Sequence, residues 1–251
     1  MAATPISAVQ ADMLDEILDA SIITGWRGSD GNHMAGVKFD LAPGWKTYWR
    51  QPGDVGIPPQ FDWSQSKNLT GASVVWPVPD VTYDQGMRTI GYDGTVILPI
   101  VLRPDHSGPI QLVADVEIGV CEEICIPVSL KLSATLPAKG AYDADLALAT
   151  SLRTKPGVGK MTCRFDPADD GMKVTLVMPK PRHGADAGVV EINLPGAWIG
   201  EPVLKTDGDV VTMTSEIVTP SGKMIAIDRS DVIATIFAGE HGSEFIGCTG
   251  G

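Results

Sequence analysis

No stretch of this 251-residue chain is apolar for long enough to cross a membrane as a helix. The longest apolar runs, 96–102 (with Pro99 inside) and 232–238, fall far short of the ~18 residues that a spanning helix needs, so the sequence predicts a soluble protein. Positive charge is also scarce. Lys and Arg number 19 against 31 Asp and Glu, for a net charge of −12 and an isoelectric point near 4.6. A surface this acidic repels phosphate backbones, and no basic stripe with interleaved aromatics offsets it, which excludes nucleic acid as an expected partner. The catalytic signatures G-x-S-x-G, H-E-x-x-H, the Walker loop and G-x-G-x-x-G are all missing. The opening residues, Met1-Ala2-Ala3-Thr4-Pro5, do not show the basic-then-apolar pattern of a secretion signal. A cytosolic protein and a chain whose signal has been trimmed both fit them.

Helix-favouring stretches are few because turn formers are many. Gly and Pro together make 47 of the residues, about 19% against a typical ~12%. Hydrophobic residues at 43% still supply an ordinary core, so the surplus points to short strands between frequent turns rather than to disorder. Strand patterns run at 19–25, 34–41, 45–49, 70–76, 95–102, 110–118 and 124–136, at the spacing of an antiparallel sandwich. The pattern breaks at Pro137-Ala138-Lys139-Gly140. A helix is expected at 142–152, with Leu146, Ala149 and Leu152 on one face and Asp143 and Asp145 at its start. Strands resume at 161–165, 172–178, 189–194, 201–204, 210–218, 232–237 and 244–248. The expected architecture is all-β: an immunoglobulin-like sandwich over 10–137, a helical linker over 138–156 and a second β-sandwich over 157–251. The four histidines, His33, His106, His183 and His241, neighbour Gly, Asn, Asp or Arg and are expected in solvated loops.

Only four cysteines are present, and they are the informative residues. Cys121 and Cys125 lie close together in Val120-Cys121-Glu122-Glu123-Ile124-Cys125-Ile126-Pro127, whereas Cys163 and Cys248 bracket the second domain. Four cysteines allow three pairings. Proximity favours Cys121 with Cys125, leaving Cys163 with Cys248. On a chain-entropy argument a bridge closing about 86 residues stabilises by roughly 4.6 kcal/mol, and one closing about 5 residues by roughly 2. The long bridge therefore reads as structural, and the short one as the more easily reduced. A redox pair, a plain clip and a two-thiolate metal site all remain open for Cys121 and Cys125. The metal reading is the weakest, since no further His or Cys lies within twelve residues of the pair. Glu122 and Glu123 disfavour thiolate beside them, which suits a relay engaged by a specific partner better than a broad oxidoreductase.

Three motifs then act together: Gly44-Trp45-Lys46-Thr47-Tyr48-Trp49-Arg50-Gln51-Pro52-Gly53-Asp54-Val55-Gly56-Ile57-Pro58-Pro59-Gln60-Phe61-Asp62-Trp63, Gly91-Tyr92-Asp93-Gly94 leading into Leu98-Pro99, and the cysteine segment. This combination resembles the N-terminal periplasmic region of the DsbD/ScsB thiol:disulfide interchange proteins, most closely the ScsB-like branch. The resemblance covers about 15–137 well and the second domain more loosely. It implies a periplasmic immunoglobulin-like module that takes two electrons from a transmembrane domain of the same polypeptide and passes them to thioredoxin-like periplasmic partners. The family's redox cysteines map onto Cys121 and Cys125, with Cys125 facing the partner and Cys121 resolving. The C-x3-C spacing here is narrower than in the best-studied members. Their cap loop corresponds to roughly 83–92, where Tyr83, Met87 and Tyr92 are candidates to cover the pair or to be sandwich core. Trp45, Tyr48, Trp49, Phe61 and Trp63 likewise read as core or as a docking surface. No metal or organic cofactor is expected. The rival reading is a non-enzymatic binding or adhesion module with two structural disulfides.

Overall fold

The computed structural model describes Leu14 and residues 16–251, so the expected domain start at residue 10 lies outside the described residues. About 57% of the chain is strand and 6% helix. The chain divides into two compact units, Met1–Arg153 and Thr154–Gly251, each an immunoglobulin-like sandwich.

The first unit contains β1 (Leu18–Arg27), β2 (His33–Leu41), β3 (Lys46–Gly53), β4 (Gln60–Asp62) and β5 (Gly71–Val74). It continues with β6 (Asp80–Asp84), β7 (Met87–Asp93), β8 (Thr95–Arg103), β9 (Ile110–Cys121) and β10 (Cys125–Leu136). One sheet has the order β1-β2-β8-β5; the other runs β10-β9-β3-β7-β6, with β4 added on β9. Alternation fixes which side chains meet between the sheets. On β9 the residues Ile110, Leu112, Ala114, Val116 and Ile118 are all buried, and they share this core with Phe39, Leu98, Ile100 and Leu102.

The short helix α1 (Ala144–Ser151) starts at Asp143, whose carboxylate accepts from the Leu146 N–H at 2.9 Å. It packs on the first unit rather than standing as a free linker. Leu146 is fully buried, with its methyl carbons against Gly25 and Gly36, where a side-chain carbon would come within 3.0 and 2.9 Å of them. Ala149 is buried beside it, while Leu152, expected on the same face, is 45% exposed.

The second unit holds β11 (Lys155–Pro156), β12 (Thr162–Ala168), β13 (Gly171–Pro179), β14 (Ala187–Glu191) and β15 (Trp198–Ile199). It is completed by β16 (Val203–Asp207), β17 (Val210–Val218), β18 (Ile233–Ala238), β19 (His241–Ile246) and β20 (Thr249–Gly250). Its sheets run β11-β19-β18-β14 and β15-β17-β13-β12-β20, with β16 on β17. Its core includes Val174, Leu176, Val211, Met213, Ala234 and Ile236. Cys163 is buried in this core and bridged to Cys248, their Cα atoms 5.7 Å apart. That bridge ties the first long strand of the unit to its last turn, as the pairing argument expected.

The histidines depart from expectation at two positions: His241 opens β19, though it stays exposed, and His33 departs further. His33 is not in a loop: it opens β2 and is fully buried. Its Nε2–H donates to the Thr24 carbonyl at 2.6 Å, leaving Nδ1 to accept from Arg27 Nε at 3.4 Å. Burial lowers its pKa from the ordinary value.

Candidate functional site

Cys121 is the last residue of β9 and Cys125 the first of β10, and the two are direct register partners across the hairpin. They form a disulfide with Cα atoms 4.2 Å apart. Directly opposed residues on antiparallel strands carry their side chains on the same face at this separation, so the ladder itself brings the sulfurs together.

The two sulfurs occupy different surroundings. Cys121 is 2% exposed, whereas Cys125 and the whole connecting loop, Glu122, Glu123 and Ile124, are exposed. The reason lies in the alternation along β9. From Ile110 to Ile118 only the core-facing positions are buried, but Gly119 and Cys121, on the opposite face, are buried as well. At this end of the strand the outer face is therefore covered too.

The cover comes from β3 and the segment after it. Thr47, Tyr48 and Trp49 are consecutive and all buried, which a strand achieves only when both its faces are packed. Thr47 Oγ1 donates to the Gly119 carbonyl at 2.9 Å. A side-chain carbon at Gly119 would lie 2.9 Å from Ile57 Cβ and 3.3 Å from Tyr48 Cδ2. One at Gly56 would penetrate the Tyr48 ring. The Tyr48 ring is thus clamped between two glycines, and its hydroxyl lies 3.4 Å from Cys125 Sγ. A disulfide sulfur has no proton, so the hydroxyl is the donor. Burial raises the Tyr48 pKa above the ordinary phenol value.

Charged groups ring the pair. Lys46 is the register partner of Cys121 on β3 and of Asp93 on β7. The Glu122 carboxylate turns onto Gly44, where a side-chain carbon would meet it at 2.7 Å. An open hollow of about 410 Å³ at this end of the sheet is walled by Gly44, Lys46, Asp80, Thr82, Tyr92 and Asp93.

Of the segment 83–92, matched to the family's cap loop, only the last residues approach this end of the sheet, and its tip lies elsewhere. It belongs to the β6–β7 hairpin, whose turn at Gln85-Gly86 takes positive φ values of 49° and 83°. Asp93 stands level with Lys46, and Met87 is six residues further along β7, about 20 Å at strand spacing. Tyr83 and Met87 are 56% and 46% exposed at that far tip. Tyr92 is core: it is 8% exposed and its hydroxyl donates to the Pro77 carbonyl at 2.9 Å. Of the aromatic motif, Tyr48 and Trp49 are fully buried, while Trp45, Phe61 and Trp63 are half-buried, with Phe61 and Trp63 stacked at 5.4 Å. Sequence reasoning missed the role of residues 54–59, because a Gly/Pro-rich segment announces a turn without saying where the turn lands.

An immunoglobulin-like sandwich with a cross-strand disulfide at the mouth of an edge hairpin, one sulfur shielded and one open, has the layout of a thiol:disulfide interchange module. Residues 17–137 match the family described as Thiol:disulfide interchange protein DsbD, N-terminal. Over those residues the chain thus carries a DsbD-type N-terminal domain. A solved structure, the N-terminal periplasmic domain of ScsB from Proteus mirabilis, is similar at 23% identity with a TM-score of 0.65, over 93% of this chain and 92% of that one. At that identity the likeness concerns the fold. No curated protein sequence matches the chain.

Proposed function

We propose that the chain is a periplasmic protein-disulfide reductase module in which Cys121 and Cys125 cycle between dithiol and disulfide. In the reduced module the Cys125 thiolate attacks a disulfide sulfur of an oxidised thioredoxin-like partner, forming a mixed disulfide and releasing one partner thiolate. The Cys121 thiolate then attacks Cys125 Sγ, closing the Cys121–Cys125 bond and releasing the second partner thiolate. Two electrons leave with the partner, and its thiolates take up protons. Reduction reverses these steps: a donor thiolate from a transmembrane domain attacks Cys125, displaces Cys121 and is resolved by a second donor thiol.

The observation that carries this reading is the asymmetry of exposure, Cys121 at 2% and Cys125 open beside the exposed Ile124. An incoming sulfur reaches only Cys125. A Cys121→Ala variant is expected to trap a mixed disulfide with a thioredoxin-like protein that lacks its own resolving thiol and carries its remaining cysteine as a thionitrobenzoate mixed disulfide, the thionitrobenzoate leaving as Cys125 attacks, visible on non-reducing gels and by mass spectrometry. Cys125→Ala is expected to trap little. Trapping through Cys121 alone reverses the assignment, and no trapping by either variant returns the pair to a structural clip.

A further inference from the structure

We infer that Tyr48 is a third member of the site, whose hydroxyl stabilises the Cys125 thiolate and so sets the pH at which the module becomes nucleophilic. The inference rests on the reading of Cys125 as the partner-facing sulfur. It goes beyond that reading by assigning a chemical role to a residue expected from sequence to be core or docking surface.

The geometry supports a role beyond packing. A tyrosine that only filled space beside Gly119 and Gly56 would need no hydroxyl, and a phenol buried without a partner is costly. Among the described residues, the one polar contact of that hydroxyl is the reacting sulfur, at 3.4 Å. Both glycines leave room for the ring and none for its displacement, since a side chain at either would meet it. The hydroxyl is therefore positioned before any partner arrives. The same burial that raises the phenol pKa keeps it protonated, and hence a donor, at the pH where thiols ionise.

A hydrogen bond donated to the charged form of an acid lowers its pKa. The remaining charges around the hairpin act in both directions. Glu122 and Glu123 in the loop and Asp93 on β7 oppose the thiolate, while Lys46 on β3 favours it. Asp54, in the segment behind the Tyr48 ring, has its carboxylate occupied by the Arg88 N–H at 2.7 Å. The Tyr48 hydroxyl is the neutral contribution to this balance, acting at contact distance.

The test compares Cys121→Ala with Cys121→Ala/Tyr48→Phe, so that Cys125 is the thiol that reports while the Cys163–Cys248 bridge stays closed. Iodoacetamide alkylation of Cys125 is followed against pH. Removing the hydroxyl is expected to move the profile up by about one pH unit. A thiolate of higher pKa is intrinsically more nucleophilic, with a Brønsted slope of about 0.4–0.5. The two curves should therefore cross: the Tyr48→Phe form reacts about threefold more slowly at neutral pH and about threefold faster on the alkaline plateau. Mere loosening of the fold would raise reactivity at every pH and would not produce a crossing. Coincident profiles overturn the inference.

A second measurement avoids substituting Tyr48. In Cys121→Ala the Tyr48 Cζ chemical shift is expected to track the Cys125 titration, and a flat response overturns the inference as well. Alkylation needs no redox partner. Failure of the trapping experiment with an intact crossing would thus remove the relay and keep Tyr48, while coincident curves with successful trapping would do the reverse.

Discussion

His33 shows how a single residue can carry a pH dependence far from the Cys121–Cys125 hairpin. Buried and hydrogen-bonded through Nε2–H to Thr24, with Arg27 at its other nitrogen, it is held neutral, its pKa lowered chiefly by burial. The unfolded chain takes up a proton near the ordinary value of about 6.5, whereas the folded chain resists it until lower pH. Stability is therefore complete above that value and falls as pH drops below it, until the folded imidazole is also protonated. Denaturant melts of the wild type between pH 7.5 and 5 should lose stability in this window, and His33→Gln should flatten the slope even if it lowers the whole curve. An equal slope in both proteins would remove His33 as its source. Asp40 is held below the usual carboxylate range by Lys38 and then Thr95, against a smaller opposing effect of burial. Its stabilisation is present above about 4 and lost only below that, which separates the two effects. From sequence, His33 looked like a loop residue because Asp30, Gly31 and Asn32 precede it. Those residues do form the turn, and the strand begins at the histidine itself. By contrast, Cys121 and Cys125 were legible as a pair from spacing alone. Their unequal exposure was not, because it depends on a segment some 60 residues earlier in the chain.

Among the elements, α1 shows where sequence and packing separate. Its start at Asp143 and its apolar Leu146 and Ala149 could be read directly, since a cap and a helical stripe are local signals. Its attachment could not be read, because the receiving surface is the pair of glycines at 25 and 36, which look like turn residues in sequence. Leu146→Ala is expected to destabilise the first unit by about 2–5 kcal/mol, the usual cost of emptying a fully buried leucine site. Five of the six tryptophans precede residue 153, and the sixth, Trp198, is 56% exposed. Fluorescence-monitored unfolding therefore reports on the first unit, and an unchanged midpoint would mean that the helix contributes nothing to it. The β6–β7 hairpin escaped the sequence pattern for a different reason. Asp80, Thr82, Tyr83, Asp84 and Met87 are exposed, so the hairpin has no clean inward face to announce it. The long strands β9 and β10 announced themselves by alternation, and β8 by its continuous apolar run.

The whole molecule keeps two cores and two disulfides, one of each per unit. This division supports separate roles for the bridges. Replacing Cys163 and Cys248 with Ser should lower the stability of the second unit by a few kcal/mol, up to the roughly 4.6 that loop closure allows. Mixed-disulfide trapping through Cys125 should continue unchanged when those two replacements are made in the Cys121→Ala background. Loss of trapping in a second-unit variant that remains folded would show that the long bridge serves the exchange itself. The two-unit, all-β architecture was visible in the sequence because turn formers recur along its full length. The division falls after Arg153 rather than around a free helix because Leu146 found a buried site. The hairpin register has a further consequence for turnover. Cys121 and Cys125 are neighbours by backbone hydrogen bonding and do not depend on their own covalent bond to stay together. In the proposed exchange, once a partner is attached at Cys125, the Cys121 thiolate would thus face the mixed disulfide at an effective concentration far above that of any thiol in solution. Resolution should outrun diffusion, so the wild-type complex exists only briefly and each encounter runs to completion.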